Sequence, residues 1–178
     1  TPPALVEKML DMARVTRDDL VMDLGSGDGR NIIAAAKRGA RAIGVEYNPD
    51  MVALSTRLAA AAGVADRASF VEGDMFTADI SKATVMALFL LPANLEKLRE
   101  TFLALAPGTR LVMNTFDIPD WVSGAKETLG EGCVSWCTAH LYYVPAPVEG
   151  RWTTSRGDLT LRQAFQMVAG TLTINGVA

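Results

Sequence analysis

The chain has 178 residues, 49% of them hydrophobic, a size and apolar content that suit one compact domain with a core needing neither disulfides nor metals. The formal charge is −3 at pH 7 and no run of Lys or Arg forms a patch, which argues against nucleic acid as a partner. No apolar stretch approaches the roughly 20 residues that span a bilayer, so the sequence reads as soluble.

Pro2 and Pro3 open a segment, Ala4 to Ala13, whose residues Leu5, Val6, Met9, Leu10 and Ala13 recur at helical spacing on one face. Leu20 to Leu24 is a short apolar run, followed by the glycine-rich loop of "VMDLGSGDGR" and an alanine-rich helix, Asn31 to Arg38, that Gly39 ends. "RAIGVEYNP" predicts a second strand ending at Glu46, and Pro49 starts a long helix through Ala62, stopped by Gly63. "ASFVEGDMF" supplies a third strand, "ATVMALFLLP" a fourth, Asn94 to Leu105 a helix, and "GTRLVMNTF" a fifth strand. Strict alternation of strand and helix implies a parallel sheet covered on both faces, an α/β three-layer sandwich.

Beyond Trp121 the texture changes. "VSWCTAHLYYV" and "LTLRQAFQMV" are β-prone with period-two polarity and predict an antiparallel pair at one sheet edge, and "GTLTI" predicts a last short strand. The two cysteines, Cys133 and Cys137, then lie four apart on a strand, too far apart to bridge, which fits a reducing, cytoplasmic setting. The chain begins at Thr1 without Met, which leaves room for an upstream segment.

A loop between a parallel strand and a helix lies at the carboxyl edge of the sheet, where ligands of doubly wound folds bind. The dinucleotide fingerprint is Gly-x-Gly-x-x-Gly without a carboxylate, because an acid repels pyrophosphate. Here Gly25, Gly27 and Gly29 follow Gly-x-Gly-x-Gly spacing, with Asp23 ending the strand and Asp28 inside the loop. Those acids suit a ligand carrying an ammonium and a sulfonium, as S-adenosylmethionine does. Glu46, at the next strand end, can accept two ribose hydroxyls, a role shared with NAD sites, and Asp74, at the third, can accept the adenine amino group. A tight turn with no ligand is the alternative for any one of these features alone.

With "DLGSGDGR", "GVEYNP", "VEGDMF" and "ATVMALFLLP" in order, the sequence resembles the class I, Rossmann-like, seven-stranded S-adenosylmethionine-dependent methyltransferases. "TPPALVEKML" and "LAPGTRLVMNTFDIPDW" narrow the resemblance to the small archaeal protein lysine methyltransferases and the ATP-synthase c-subunit lysine methyltransferases. The resemblance implies a doubly wound sheet of five parallel strands and a C-terminal antiparallel pair. It divides one domain into an N-terminal helix (1–19), a cofactor-binding core (20–116), and a C-terminal helix with antiparallel strands and an extension (117–178), a tail associated with bacterial members. It places Thr1, Asp23, Gly25, Ser26, Gly27 and Asp28 around the methionine part, Glu46 and Tyr47 at the ribose, and Asp74 and Met75 near adenine.

Transfer of a methyl group from a sulfonium is an in-line displacement that needs positioning and an unprotonated nucleophile, with no metal or triad. For a lysine acceptor, the first acceptor to consider, a dry apolar channel promotes loss of the amine proton. Phe89, Leu90 and Pro92 are candidates for its wall, with Asn114 and Phe116; the alternative is that they are ordinary buried strand residues. The segment lacks the (Asn/Asp)-Pro-Pro-(Tyr/Phe) sequence of enzymes acting on adenine or glutamine amides. His140 reads as structural rather than as a base, and a zinc site with Cys133 and Cys137 lacks a fourth ligand. Trp121, Trp136 and Trp152 read as core or edge-covering aromatics rather than a cation cage, with Trp121, after the fifth strand, as the one placed to flank the acceptor entrance. A small-molecule methyltransferase, a non-catalytic cofactor-binding module and an NAD-dependent dehydrogenase stand as the other readings, and oligomeric state is left open.

Overall fold

The computed structural model describes residues 1–174. In chain order the elements are α1 (Pro3–Met12), β1 (Leu20–Leu24), α2 (Arg30–Lys37), β2 (Arg41–Glu46), α3 (Pro49–Ala61), β3 (Ala68–Glu72), β4 (Val85–Leu88), α4 (Pro92–Leu103), β5 (Arg110–Asn114), β6 (Ala125–Thr128), β7 (Thr138–Tyr143), β8 (Gly150–Thr154), β9 (Gly157–Ala164) and β10 (Met167–Thr173). Seven strands form one sheet in the order β3-β2-β1-β4-β5-β7-β6. β1 to β5 are parallel, and β7 runs antiparallel to both β5 and β6. This is the Rossmann-like, doubly wound sheet with an antiparallel edge.

The central strands β1, β4 and β5 are buried on both faces, and their alternation assigns each side chain to one of two cores. Val21, Val85, Ala87, Val112 and Leu141 face α1 and α2, meeting Leu5, Met9, Ile32 and Ala35. Met22, Met86, Leu88, Leu111, Met113 and Tyr142 face the other way, meeting Leu95, Leu98 and Phe102 of α4. Pro49 and Pro92 sit in the first turns of their helices, and Asn48 caps α3 by accepting from the Asp50 N–H at 2.9 Å.

At the amino edge of the sheet, Asp19 gathers β1, β4 and β5. It accepts from the Thr16 N–H at 2.8 Å and the Thr84 hydroxyl at 2.7 Å, and it pairs with Arg110. Burial alone raises the Asp19 pKa, but those hydrogen bonds and the guanidinium outweigh it and hold the carboxyl below its ordinary value. The opposite edge is thereby free to be shaped by loops.

The C-terminal part departs from expectation in three respects. The helix expected within 117–178 is not found among the described residues, and residues 175–178 lie outside them. β7's antiparallel partner at the sheet edge is β6, not the segment "LTLRQAFQMV". That segment is instead broken into β9 and β10, which with β8 make a separate three-stranded antiparallel sheet that includes the expected last strand. The break falls at Phe165, with φ +52, where the sequence offers none of the usual Gly, Asn or Asp turn residues. Packing compensates, for the Phe165 ring stacks on Trp121 at 5.5 Å, and Gln163 binds the Val148 N–H at 2.8 Å.

Cys133 and Cys137 form a disulfide, with Cα atoms 5.9 Å apart. The expectation that they cannot bridge fails because the chain turns between them; β7 begins only at Thr138, so the strand geometry assumed from the sequence does not apply. Neither sulfur is then a thiolate ligand. Among the described residues no helix is long and apolar enough to cross a membrane.

Candidate functional site

Sheet order reverses between β1 and β4, so the loops after these two strands open a crevice at the carboxyl edge. The first of these loops is pinned to β2: the N–H groups of Gly25 and Ser26 donate to the Val45 carbonyl at 2.8 and 3.1 Å, and the Gly27 N–H donates to Glu46 Oε2 at 2.8 Å. Gly25 and Gly29 serve different needs. A Cβ on Gly29 would stand 2.5 Å from the Phe70 ring and 2.9 Å from Ser55 Cβ, so Gly29 allows close packing. A Cβ on Gly25, at φ +69, would fill the gap between Leu90 and Met75, 3.6 Å from each. That gap is a place for a ligand edge.

Thr1, Asp23, Gly25, Ser26, Gly27 and Asp28 all line one cavity of about 270 Å³. The sequence reading missed Arg30, Asn31 and Met51, which line it too, and Phe89 reaches it from the end of β4. Asp23 is buried. Asn31, the second residue of α2, donates from Nδ2 to Asp23 Oδ2 at 2.9 Å and to the Ala87 carbonyl at 3.0 Å, tying β1 to β4. Burial pushes the Asp23 carboxyl up to about 8; the Asn31 hydrogen bond opposes the shift and the Glu46 charge adds to it. Asp23 Oδ1, Ser26 Oγ and Asn31 Oδ1 are buried and make no hydrogen bond. Three such atoms on residues that line one cavity are a costly arrangement, Ser26 Oγ being turned toward Gly44 of β2.

Asp28 is committed within the protein. It pairs with Arg30 at 2.5 Å, which holds its carboxyl below the ordinary value, and Arg30 also donates to the Thr1 carbonyl at 2.5 Å. Glu46 stands beside the loop; besides Gly27 its carboxylate accepts from the Asn48 N–H at 3.0 Å, leaving lone pairs for further donors. Asp74 is exposed and accepts from the Phe76 N–H at 2.9 Å, which fixes the turn carrying Met75 toward Gly25. Tyr47 is 78% exposed and stays outside the cavity.

Of the residues expected to wall an acceptor channel, Phe89 stacks with Phe116 at 6.1 Å between centroids, and Leu90 is buried near Gly25. Pro92 begins α4 on the surface and does not line the cavity. Asn114 is buried but occupied, donating to Thr1 Oγ1 and accepting from the Thr115 hydroxyl, both at 2.8 Å. It positions the N-terminal segment against β5. His140 is buried in β7 opposite Met113, and burial lowers its pKa, with Lys126 adding to the shift, so the ring is neutral.

Comparison with known proteins agrees with this geometry. The family model for the ANTKMT methyltransferase domain matches residues 23–125. A protein-lysine N-methyltransferase of Saccharolobus islandicus (strain REY15A) is 44% identical over 124 residues, covering 68% of this chain and 77% of that protein. The ATP-synthase c-subunit lysine N-methyltransferase of Mus musculus is 38% identical over 128 residues, covering 71% of this chain, and the match spans about half (51%) of that protein's length. A crystal structure described as an RNA methyltransferase from Salinibacter ruber in complex with S-adenosyl-L-homocysteine superposes with a TM-score of 0.78 at 42% identity, over 83% of this chain and 95% of that one. The chain belongs to the ANTKMT methyltransferase family, class I S-adenosylmethionine-dependent methyltransferases related to the protein-lysine and ATP-synthase c-subunit enzymes.

Proposed function

We propose that the chain binds S-adenosylmethionine in the cavity beneath the glycine loop and methylates the side-chain amine of a protein lysine. The observation that carries the proposal is the unpartnered Oδ1 of buried Asp23 on the wall of that cavity. An ammonium supplied there satisfies the oxygen and draws the carboxyl into its ionised form. Gly25 and Gly27 let the ligand approach the backbone, Glu46 accepts the ribose hydroxyls, and Met75 and Leu90 flank the adenine, with Asp74 near its amino group and Tyr47 at the outer edge. The cofactor supplies an activated methyl group whose loss leaves a neutral thioether.

The chain's own task is to bring a neutral amine in line. Phe89, Leu90 and Phe116 make the approach apolar, which disfavours the ammonium and lowers the lysine pKa from its ordinary value near 10.4. The neutral His140 lies one strand away and is not needed as a base, because desolvation does its work. The lysine acceptor draws support from the names of the archaeal and mouse relatives.

RNA is the second reading, favoured by the description of the Salinibacter ruber structure. The net charge of −3 weighs against it, since phosphate contacts call for Lys and Arg. A lysate incubated with methyl-labelled cofactor decides between them. Label that survives ribonuclease, is released by protease and maps to methyl-lysine by mass spectrometry supports the proposal; label lost to ribonuclease favours RNA, and label confined to metabolites favours a small-molecule acceptor.

A further inference from the structure

From the geometry at the mouth of the cavity we infer that Trp136 is a specificity-determining wall of the methyl-acceptor opening, held in place by the Cys133–Cys137 disulfide; the inference rests on the function proposed above. Phe89 lines the cavity, and its ring is near-parallel to that of Phe116, 6° between planes. Trp136 closes the group, 5.3 Å from Phe89 and 5.6 Å from Phe116, tilted 58° to both. The three rings come from separate segments, after β4, after β5 and before β7, and they meet at the same sheet edge as the glycine loop. Convergence of this kind is not explained by core filling, since Trp136 is 45% exposed.

The backbone is bent to present these rings. Trp136 has φ +59 and Thr115, next to Phe116, has φ +63, a region that side-chain-bearing residues rarely adopt. The Thr115 N–H donates to the Thr138 carbonyl at 2.6 Å, fastening the two segments together. Beyond that, the Cys133–Cys137 bridge closes a short loop around Trp136, whose neighbour Val134 is 98% exposed and contributes no packing. The bridge is thus a local constraint on where the indole sits, beside the hydrogen bond from the Leu129 N–H to the Cys137 carbonyl at 2.8 Å.

Its chemistry suits the reaction. As the amine lone pair bonds to the methyl carbon, the carbon–sulfur bond breaks with its electron pair going to sulfur, and positive charge appears on nitrogen. An indole beside the amine attracts that cation more than the neutral amine it replaces, which favours the transition state, and it narrows the opening to a slender alkylamine.

The test compares wild type with Trp136→Ala, Trp136→Phe and the double variant Cys133→Ser/Cys137→Ser. Each is assayed for initial rates on a synthetic lysine peptide, and S-adenosylhomocysteine affinity is measured by calorimetry. Trp136→Ala lowers kcat/KM for the peptide about tenfold with the cofactor Kd unchanged, and Trp136→Phe restores part of the loss. The double variant falls between, and wild type treated with a dithiol matches it: the reagent attacks one sulfur, the S–S bond breaks, two thiols form at Cys133 and Cys137, and the reagent is left as its own disulfide. In parallel, acrylamide quenching of tryptophan fluorescence rises on reduction in wild type and not in Trp136→Phe.

Equal kcat/KM for Trp136→Ala and wild type overturns the specificity role. Unchanged quenching on reduction overturns the role of the bridge. If wild type methylates no lysine peptide, the lysine reading falls by itself; quenching still decides the bridge, and label transfer to a lysate by Trp136→Ala equal to that by wild type overturns the acceptor role.

Discussion

Asn31 Nδ2 lies 2.9 Å from Asp23 Oδ2 and 3.0 Å from the Ala87 carbonyl, so one amide group joins the ends of β1 and β4 where the sheet order reverses. Both of its hydrogens are used, and Oδ1 of Asp23, a residue that lines the cavity, is left buried without a partner. Replacing Asn31 with Ala strips a buried carboxyl of its donor. We expect S-adenosylhomocysteine binding to weaken by about 1–3 kcal/mol, roughly five- to 150-fold, in calorimetric titration. Wild-type affinity in Asn31→Ala would show that this contact does not organise the site.

Asp23 makes stability depend on pH. Its pKa is about 8 when folded, against an ordinary 3.8, so the folded state holds a proton that the unfolded state releases. The sign follows: its contribution is fully present below the unfolded value and is lost as pH rises through about 8. Wild type should lose up to about 1.4 kcal/mol per pH unit across that window relative to Asp23→Asn. Denaturant unfolding of both proteins between pH 5 and 9 measures it, and parallel curves would show that Asp23 is ionised throughout.

Binding of a ligand that brings its ammonium against Asp23 should release that proton. Below pH 8, calorimetry of S-adenosylhomocysteine in buffers of different ionisation enthalpy should report a proton leaving the wild-type protein, and none leaving Asp23→Asn.

Asp19 has the opposite dependence. Its pKa is held below the ordinary value, so its contribution is present above the unfolded value and is lost as pH falls through the folded one. Asp19→Ala leaves Arg110 without its partner at the base of the sheet, and should cost about 3 kcal/mol or more at neutral pH, read from denaturant unfolding. Cofactor binding by the folded variant should be unchanged, because Asp19 lies at the far edge from the cavity.

The glycines should separate by substitution. Gly29→Ala forces Cβ against Phe70 and Ser55 in a left-handed backbone, and should destabilise by about 1–3 kcal/mol. Gly25→Ala meets only ordinary contacts with Leu90 and Met75 and is strained through its φ alone, so its larger effect should be on cofactor affinity. Equal losses of binding and of stability in the two variants would contradict this division.

The parallel core was legible because its boundaries are marked by local chemistry. β1 opens on the apolar run Leu20–Met22 and β2 carries the run Ala42–Val45, and Pro49, Gly39 and Gly63 punctuate the helices where backbone geometry requires them. The C-terminal part lacks such marks. β6 is a fully exposed edge strand, "AKET", with no alternation to reveal it, and the turn at Phe165 is offset by stacking on Trp121, a contact remote in sequence. Of the acids read at strand ends, Asp23 lines the cavity and Glu46 binds the glycine loop, whereas Asp74 is exposed. Asn31 could not be read in that way, although a polar residue on the buried face of an alanine-rich helix was a usable signal. Trp136 and the disulfide were hidden for one reason: both depend on a turn that the alternating residues around it disguise as strand.

The most direct test is calorimetric titration of S-adenosylhomocysteine into wild type, Asp23→Asn and Glu46→Ala, with NAD titrated alongside. A site built around Asp23 and Glu46 predicts binding to wild type, at least tenfold weaker binding to each variant, and no NAD binding. Tight NAD binding without affinity for S-adenosylhomocysteine, or equal S-adenosylhomocysteine affinity in all three proteins, would contradict it.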